Sequence, residues 1–175
     1  MNLLLIGNIL SFAGAILMVC IGLIKTKRNI LLAQNGQFIL MGIGNLVLGG
    51  VSGALSNGLG IIRNLVCLNR DFTPALKALF IALQAVLTLI LNREGLFGWL
   101  PFVAALLFTL SLDAENAIVL KLAIIAGQLC WCFYDASIRN YTALAFDIFT
   151  VLSNIVGILR IRHGGAAQSP EETAG

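Results

Sequence analysis

Charge is what this chain has least of. Only 11% of its 175 residues are Asp, Glu, Lys or Arg, where a soluble domain carries about 25%. That is too little to cover a water-facing surface. Histidine occurs once, at 163, and proline three times. The chain has no H-E-x-x-H, no Walker loop, no nucleophile elbow and no DNA-reading element. No catalytic constellation appears, so an enzyme is not expected, and neither is a cofactor, a metal or a nucleic-acid partner. The four cysteines (Cys20, Cys67, Cys130, Cys132) lie inside apolar runs and make no secreted disulfide framework. Met1 and Asn2 lead into apolar residues with no basic stretch before them, which argues against a cleavable signal peptide.

What fills the sequence is apolar. Hydrophobic residues make up 59%, and mean hydropathy is +0.96. The lipid bilayer is the solvent that tolerates this composition. There the backbone must satisfy its own hydrogen bonds, which leaves helices or closed barrels. The runs are long and do not alternate, so they are helices. A crossing needs about 20 apolar residues. Such runs fall at 3–24, 30–48, 54–68, 75–91, 96–112, 117–138 and 141–161. Pro74 sits where a helix's first turn accepts it. Seven crossings put Lys25, Lys27, Arg28, Arg70, Lys77, Arg160 and Arg162 on one side, and Arg93 and Arg139 on the other. By the positive-inside rule the N-terminus is outside and the C-terminus cytoplasmic. The stretch 163–175, with its glycines, Pro170, Glu171 and Glu172, reads as a disordered tail.

A shift of 90 residues lays runs one to three over runs five to seven without a gap. Matched Leu and Ala mean little in apolar sequence. The polar matches carry more: Asn45 with Asp135, Asn57 with Asp147, Asn64 with Asn154, Arg70 with Arg160. The fourth run has no counterpart. A single connecting span lets two three-helix units point the same way, a parallel repeat. The expected fold is therefore an all-α membrane protein of seven transmembrane helices: two parallel three-helix bundles (1–71 and 93–162) joined by one linker helix (72–92), with the tail at 163–175.

Polar residues recur at helical spacing: Asn57, Gly60, Asn64 and Cys67 in the third run, Asp147, Thr150, Asn154 and Gly157 in the seventh, Gln128, Trp131 and Asp135 in the sixth. Such faces turn toward neighbouring helices or a cavity. Asp147 is the sharpest signal, because a mid-span carboxylate costs about 2.5–3.5 kcal/mol on insertion scales. It either binds solute or a proton, or pairs with Arg63. Arg63 and Lys121 are expected to snorkel to the interface, and Asp135 to be hydrated near the outer end. The asparagines can contact solute or hydrogen-bond between helices.

The stretch from Trp131 through Tyr134 and Asp135 to Asp147 resembles the sixth and seventh helices of SWEET sugar facilitators. Those read W-x-x-Y-G, with an asparagine 16 residues after the tryptophan. Ser56-Asn57-Gly58-Leu59-Gly60 resembles their N-G-x-G in helix three. Asp stands at 147 in place of that asparagine, and of the family's hinge prolines only Pro101 has a counterpart. Over residues 5–162 the chain is more similar still to the bacterial inner-membrane YgjV family, grouped by fold with SWEET, PQ-loop and PnuC-type transporters. The similarity lies in the long polar second helix, the Gly-rich turn, and Ile61-Ile62-Arg63 before a basic helix end. The resemblance implies a facilitator or proton-linked carrier of a small polar solute such as a sugar, nucleoside or vitamin. Asn57, Trp131 and Asp147 would then lie at a central site, with Asn64 and Asn154 extending its polar lining. The competing reading is a membrane assembly or partner subunit that keeps the fold. Either reading is compatible with a homo-oligomer.

Overall fold

The computed structural model describes residues 2–21, 27–69, 73–111 and 117–166. Among them are seven α-helices: α1 (Leu3–Ile21), α2 (Lys27–Val47), α3 (Val51–Asn69), α4 (Pro74–Leu91), α5 (Leu100–Ser111), α6 (Ala117–Ser137) and α7 (Tyr141–Ala166). A 3₁₀ turn at Phe97–Trp99 runs directly into α5. α2 packs between α1 and α3, and α6 between α5 and α7. α4 touches α3 and α5, while α1 also meets α7 and α3 meets α5.

Three helices are long and apolar enough to cross a bilayer by length and composition: Val51–Asn69, Pro74–Leu91 and Tyr141–Leu159. Leu3–Met18 and Phe97–Ser111 are shorter apolar helices. The distribution of polarity is the reverse of a water-soluble core. Among the described residues, thirteen polar or charged side chains are buried against six hydrophobic ones, while Leu, Ile and Phe cover the outside. In water this would leave an apolar coat facing solvent. In lipid it places the costly groups where helices can satisfy them.

Local sequence explains the helix ends. Thr73 caps α4, its hydroxyl accepting from Leu76 N–H at 3.4 Å, and Pro74 supplies a first-turn residue whose missing donor is not needed. The turns after α2 and α6 are built alike. Gly50 N–H donates to Asn45 O at 2.7 Å, and Asn140 N–H to Asp135 O at 2.8 Å. Each turn places one residue in the left-handed region, Gly49 at φ 84° and Arg139 at φ 61°, as helix C-terminal motifs require. The 90-residue shift found in the sequence thus recurs in helix bounds: α2 and α6 begin at 27 and 117 and end at 47 and 137, and α3 and α7 begin at 51 and 141.

Some bounds differ from the sequence expectation. α3 starts at Val51, not 54, because Gly49 alone makes the turn and Gly50 already accepts from Ala54 N–H. α5 is only 12 residues long, with Pro101 in its first turn. α7 continues through Ala166, so the expected tail is helical at its start. Residues 167–175 lie outside the described residues.

Candidate functional site

The helices surround a central cavity of about 540 Å³. Its walls come from α1 to α7, and it holds an unusual number of polar side chains for the interior of so apolar a chain. Four of the five residues expected at a site line it: Asn57, Trp131, Asp147 and Asn154. Asn64 does not. It is buried beside the cavity and donates to Gln34 Oε1 at 3.2 Å, and Gln34 forms the wall.

Asn57, Trp131 and Asn154 make contacts within their own helices, and Asp147 is held from α6. Asn57 Nδ2 donates back to Gly53 O at 3.0 Å, and Asn154 Nδ2 to Thr150 O at 2.8 Å. Both amide groups thereby spend a donor on the preceding turn of their own helix. Trp131 meets Tyr134 edge-on, with ring centroids 5.7 Å apart. Asp147 is 6% exposed, and its Oδ1 accepts from Gln128 Nε2 at 2.6 Å. Its Oδ2 has no hydrogen-bond partner.

Two side chains, Asp135 and Arg63, sit differently from expectation. Asp135 is not hydrated at a helix end: it is 3% exposed and lines the cavity. Its place one turn beyond Trp131 on α6, and its match to buried Asn45 in the repeat, were the signals that pointed inward. Arg63 does not pair with Asp147. Its guanidinium lies 5.6 Å over the Phe108 ring and forms part of the cavity wall, a cation–π arrangement. Lys121 lies against α7, where a Cβ on Gly157 would come 2.8 Å from its Nζ. Gln34, Gln37, Gln84 and Thr109 also line the cavity. Gln34, Gln37 and Asn45 recur at helical spacing in the second run, and Gln84 with Thr88 in the fourth, the signal by which these walls are legible in sequence; Thr109 has no such companion.

The cavity is closed at the end carrying the Gly49 and Arg139 turns. There, hydrogen bonds tie the first three helices to the last three. Tyr134 OH accepts from Gly53 N–H at 2.7 Å, and Asn140 Nδ2 donates to Asn45 Oδ1 at 3.0 Å. Asn8 Nδ2 donates to Arg139 O, and Asn8 Oδ1 accepts from Thr142 N–H, both at 3.1 Å. Glu94, between α4 and α5, accepts from the Val51 and Ser52 N–H groups and from Ser52 Oγ. A carboxylate at a helix N-terminus satisfies otherwise orphaned donors. From this closed end the cavity runs toward Met18, Gln34, Phe80 and Asn154.

No group of three or more His, Cys, Asp or Glu side chains that could hold a metal ion occurs among the described residues. Cys67, Cys130 and Cys132 are free thiols.

The profile of the Imp-YgjV family, described as bacterial inner membrane protein, matches residues 5–164. The chain belongs to this family. No curated protein and no solved structure matches it. The match makes the chain a bacterial inner membrane protein and covers every cavity-lining residue named above, so the cavity lies wholly within the part shared with the YgjV family.

Proposed function

We propose that the chain is a carrier, a facilitator or proton-linked transporter, for a small polar solute such as a sugar, nucleoside or vitamin. One observation carries this reading. Asn57 on α3 and Asp147 on α7, which correspond in the repeat, line one cavity, and the donor on Asp147 Oδ1 is a neutral amide, that of Gln128. A structural carboxylate would be consumed by a cation; this one takes its hydrogen bond from an amide. Binding cavities place a few convergent polar groups in an otherwise apolar wall, and this cavity has that make-up.

In this reading all seven helices cross the membrane, as two parallel three-helix units joined by α4. The N-terminus is outside and the C-terminus cytoplasmic. The units rock about the central site, and the hydrogen bonds at the Arg139 end would break as that end opens. The solute would rest among Asn57, Trp131, Asp147 and Asn154, with Asn64 holding Gln34 in place. Chemical conversion of the solute forms no part of the reading.

The test is a thermal-shift screen of the purified protein against sugars, nucleosides, vitamins and amino acids, run beside Asp147→Asn. A ligand that binds only the folded state raises its melting temperature. A hit lost in the variant names the solute class and locates it at Asp147. A broad panel without a hit, with a variant as stable as the parent, would sink the carrier reading in favour of an assembly or partner subunit.

A further inference from the structure

Asp135 and Asp147 are both buried, both line the cavity, and stand on adjacent helices of one hairpin. Their carboxyl groups lie within hydrogen-bonding reach of each other. Each keeps one oxygen, Asp135 Oδ1 and Asp147 Oδ2, sealed from solvent and without a donor. Two carboxylates this close in a medium of low dielectric repel strongly unless a cation separates them.

The surroundings decide which cation. The sealed oxygens leave no room for a water-sized probe, so neither an ammonium group nor a hydrated metal ion reaches them. Arg63, the cation on the cavity wall, stacks on Phe108 instead. The other titratable groups facing the pair are Cys132 and Tyr134 of α6, with Glu94 beyond Tyr134. α5, and the described side chains of α1, contribute none. Gln128 Nε2 donates to Asp147 Oδ1, and the Asn140 side chain faces Asp135. Those amides can stabilise one negative charge spread over the two groups.

We propose that Asp135 and Asp147 act as a dyad that holds one proton between them at neutral pH and is the proton-coupling site of the protein. The proton forms an O–H bond on one carboxyl and a hydrogen bond to the other, so the pair carries a single negative charge. Loss of that proton leaves two facing carboxylates, and the hairpin must then open or admit another cation. The coupling role rests on the carrier reading; the shared proton does not.

The experiment is infrared spectroscopy of the protein in liposomes as pH is raised, in water and in heavy water. The expected result is a protonated-carboxyl stretch that persists at neutral pH, shifts in heavy water, and is lost in both Asp135→Asn and Asp147→Asn. Glu94→Gln should retain it, since Glu94 accepts only from donors outside the pair. A wild-type protein without this band at neutral pH overturns the dyad, whatever the variants do. A band untouched by either substitution in folded protein, judged by its helical circular dichroism, also overturns it. A solute found by thermal shift with no such band leaves a passive carrier. The band without any solute keeps the dyad and removes the carrier.

Discussion

Tyr134 reaches across from α6 so that its hydroxyl accepts from the backbone N–H of Gly53 on α3 at 2.7 Å. The contact needs glycine. A Cβ at position 53 would lie 2.5 Å from Tyr134 Cε1 and 2.6 Å from Asn45 Nδ2. Gly53→Ala is therefore expected to lower the melting temperature, and Tyr134→Ala added to it should restore part of the loss by removing the clash. A double mutant whose loss equals the sum of the two single losses would show that the two residues do not share this contact. The readout is thermal denaturation in detergent, and coupling between residues in contact is typically about 0.5–3 kcal/mol.

The matched turns make a prediction of opposite sign. Gly49 and Arg139 hold equivalent left-handed positions at φ 84° and 61°, but only one of them is glycine. A side chain there costs roughly 1–2 kcal/mol. Arg139 meets Asn8 through its carbonyl alone among its described hydrogen bonds, so Arg139→Gly keeps that bond. Arg139→Gly should raise stability by up to about 1 kcal/mol once glycine's greater unfolded-state entropy is subtracted. Gly49→Ala should lower it, although nothing lies within 4 Å of its added Cβ, because the penalty is in the backbone.

Much of this architecture was legible in the sequence. Hydrophobic run length located every helix, and the repeat with its polar matches survives in helix bounds and turn geometry. Asn57 and Asp147 were readable because each is a polar residue that lipid penalises, set on a face with others of its kind. Side chains whose role depends on a distant partner were not readable. Asn64 looks identical to Asn57 in spacing, yet it faces Gln34 rather than the cavity. Arg63 looked like a partner for Asp147 because charge pairing is visible in sequence, whereas its contact with Phe108 on another helix is not. Asp135 lies close enough to the helix end to look solvated. What surrounds it lies beyond its own helix: Asn140 faces it from the turn before α7 and in turn donates to Asn45 of the other half.

Glu94 offers a test of the closed end. Its carboxylate takes Ser52 N–H at 3.2 Å and Ser52 Oγ at 2.7 Å, and also takes Val51 N–H. Removing it strands donors at the start of α3, so Glu94→Ala should cost about 1–2 kcal/mol, the range for loss of a helix cap. Glu94→Gln keeps one oxygen acceptor and should cost less. Amide hydrogen exchange at Val51 and Ser52 should rise in the alanine variant. Protection unchanged there would mean that Glu94 does not hold this end together.

The last prediction separates Asn57 from Asn64. Both are buried on α3 and seven residues apart, so they share a face. Asn57 bonds its own preceding turn and lines the cavity, whereas Asn64 bonds Gln34 of α2. Asn64→Ala breaks an interhelical hydrogen bond and should lower stability by about 0.6–2 kcal/mol, the range for such bonds in membranes. Asn57→Ala loses only a bond to its own helix, so it should change stability less. On the carrier reading, Asn57→Ala should weaken the thermal shift given by any solute found in the screen, since it removes a group that faces the solute directly. Asn64→Ala should leave that shift largely intact while starting from a lower melting temperature. The reverse pattern, with binding lost at 64 and kept at 57, would move the solute away from the Asn57–Asp147 level and toward Gln34.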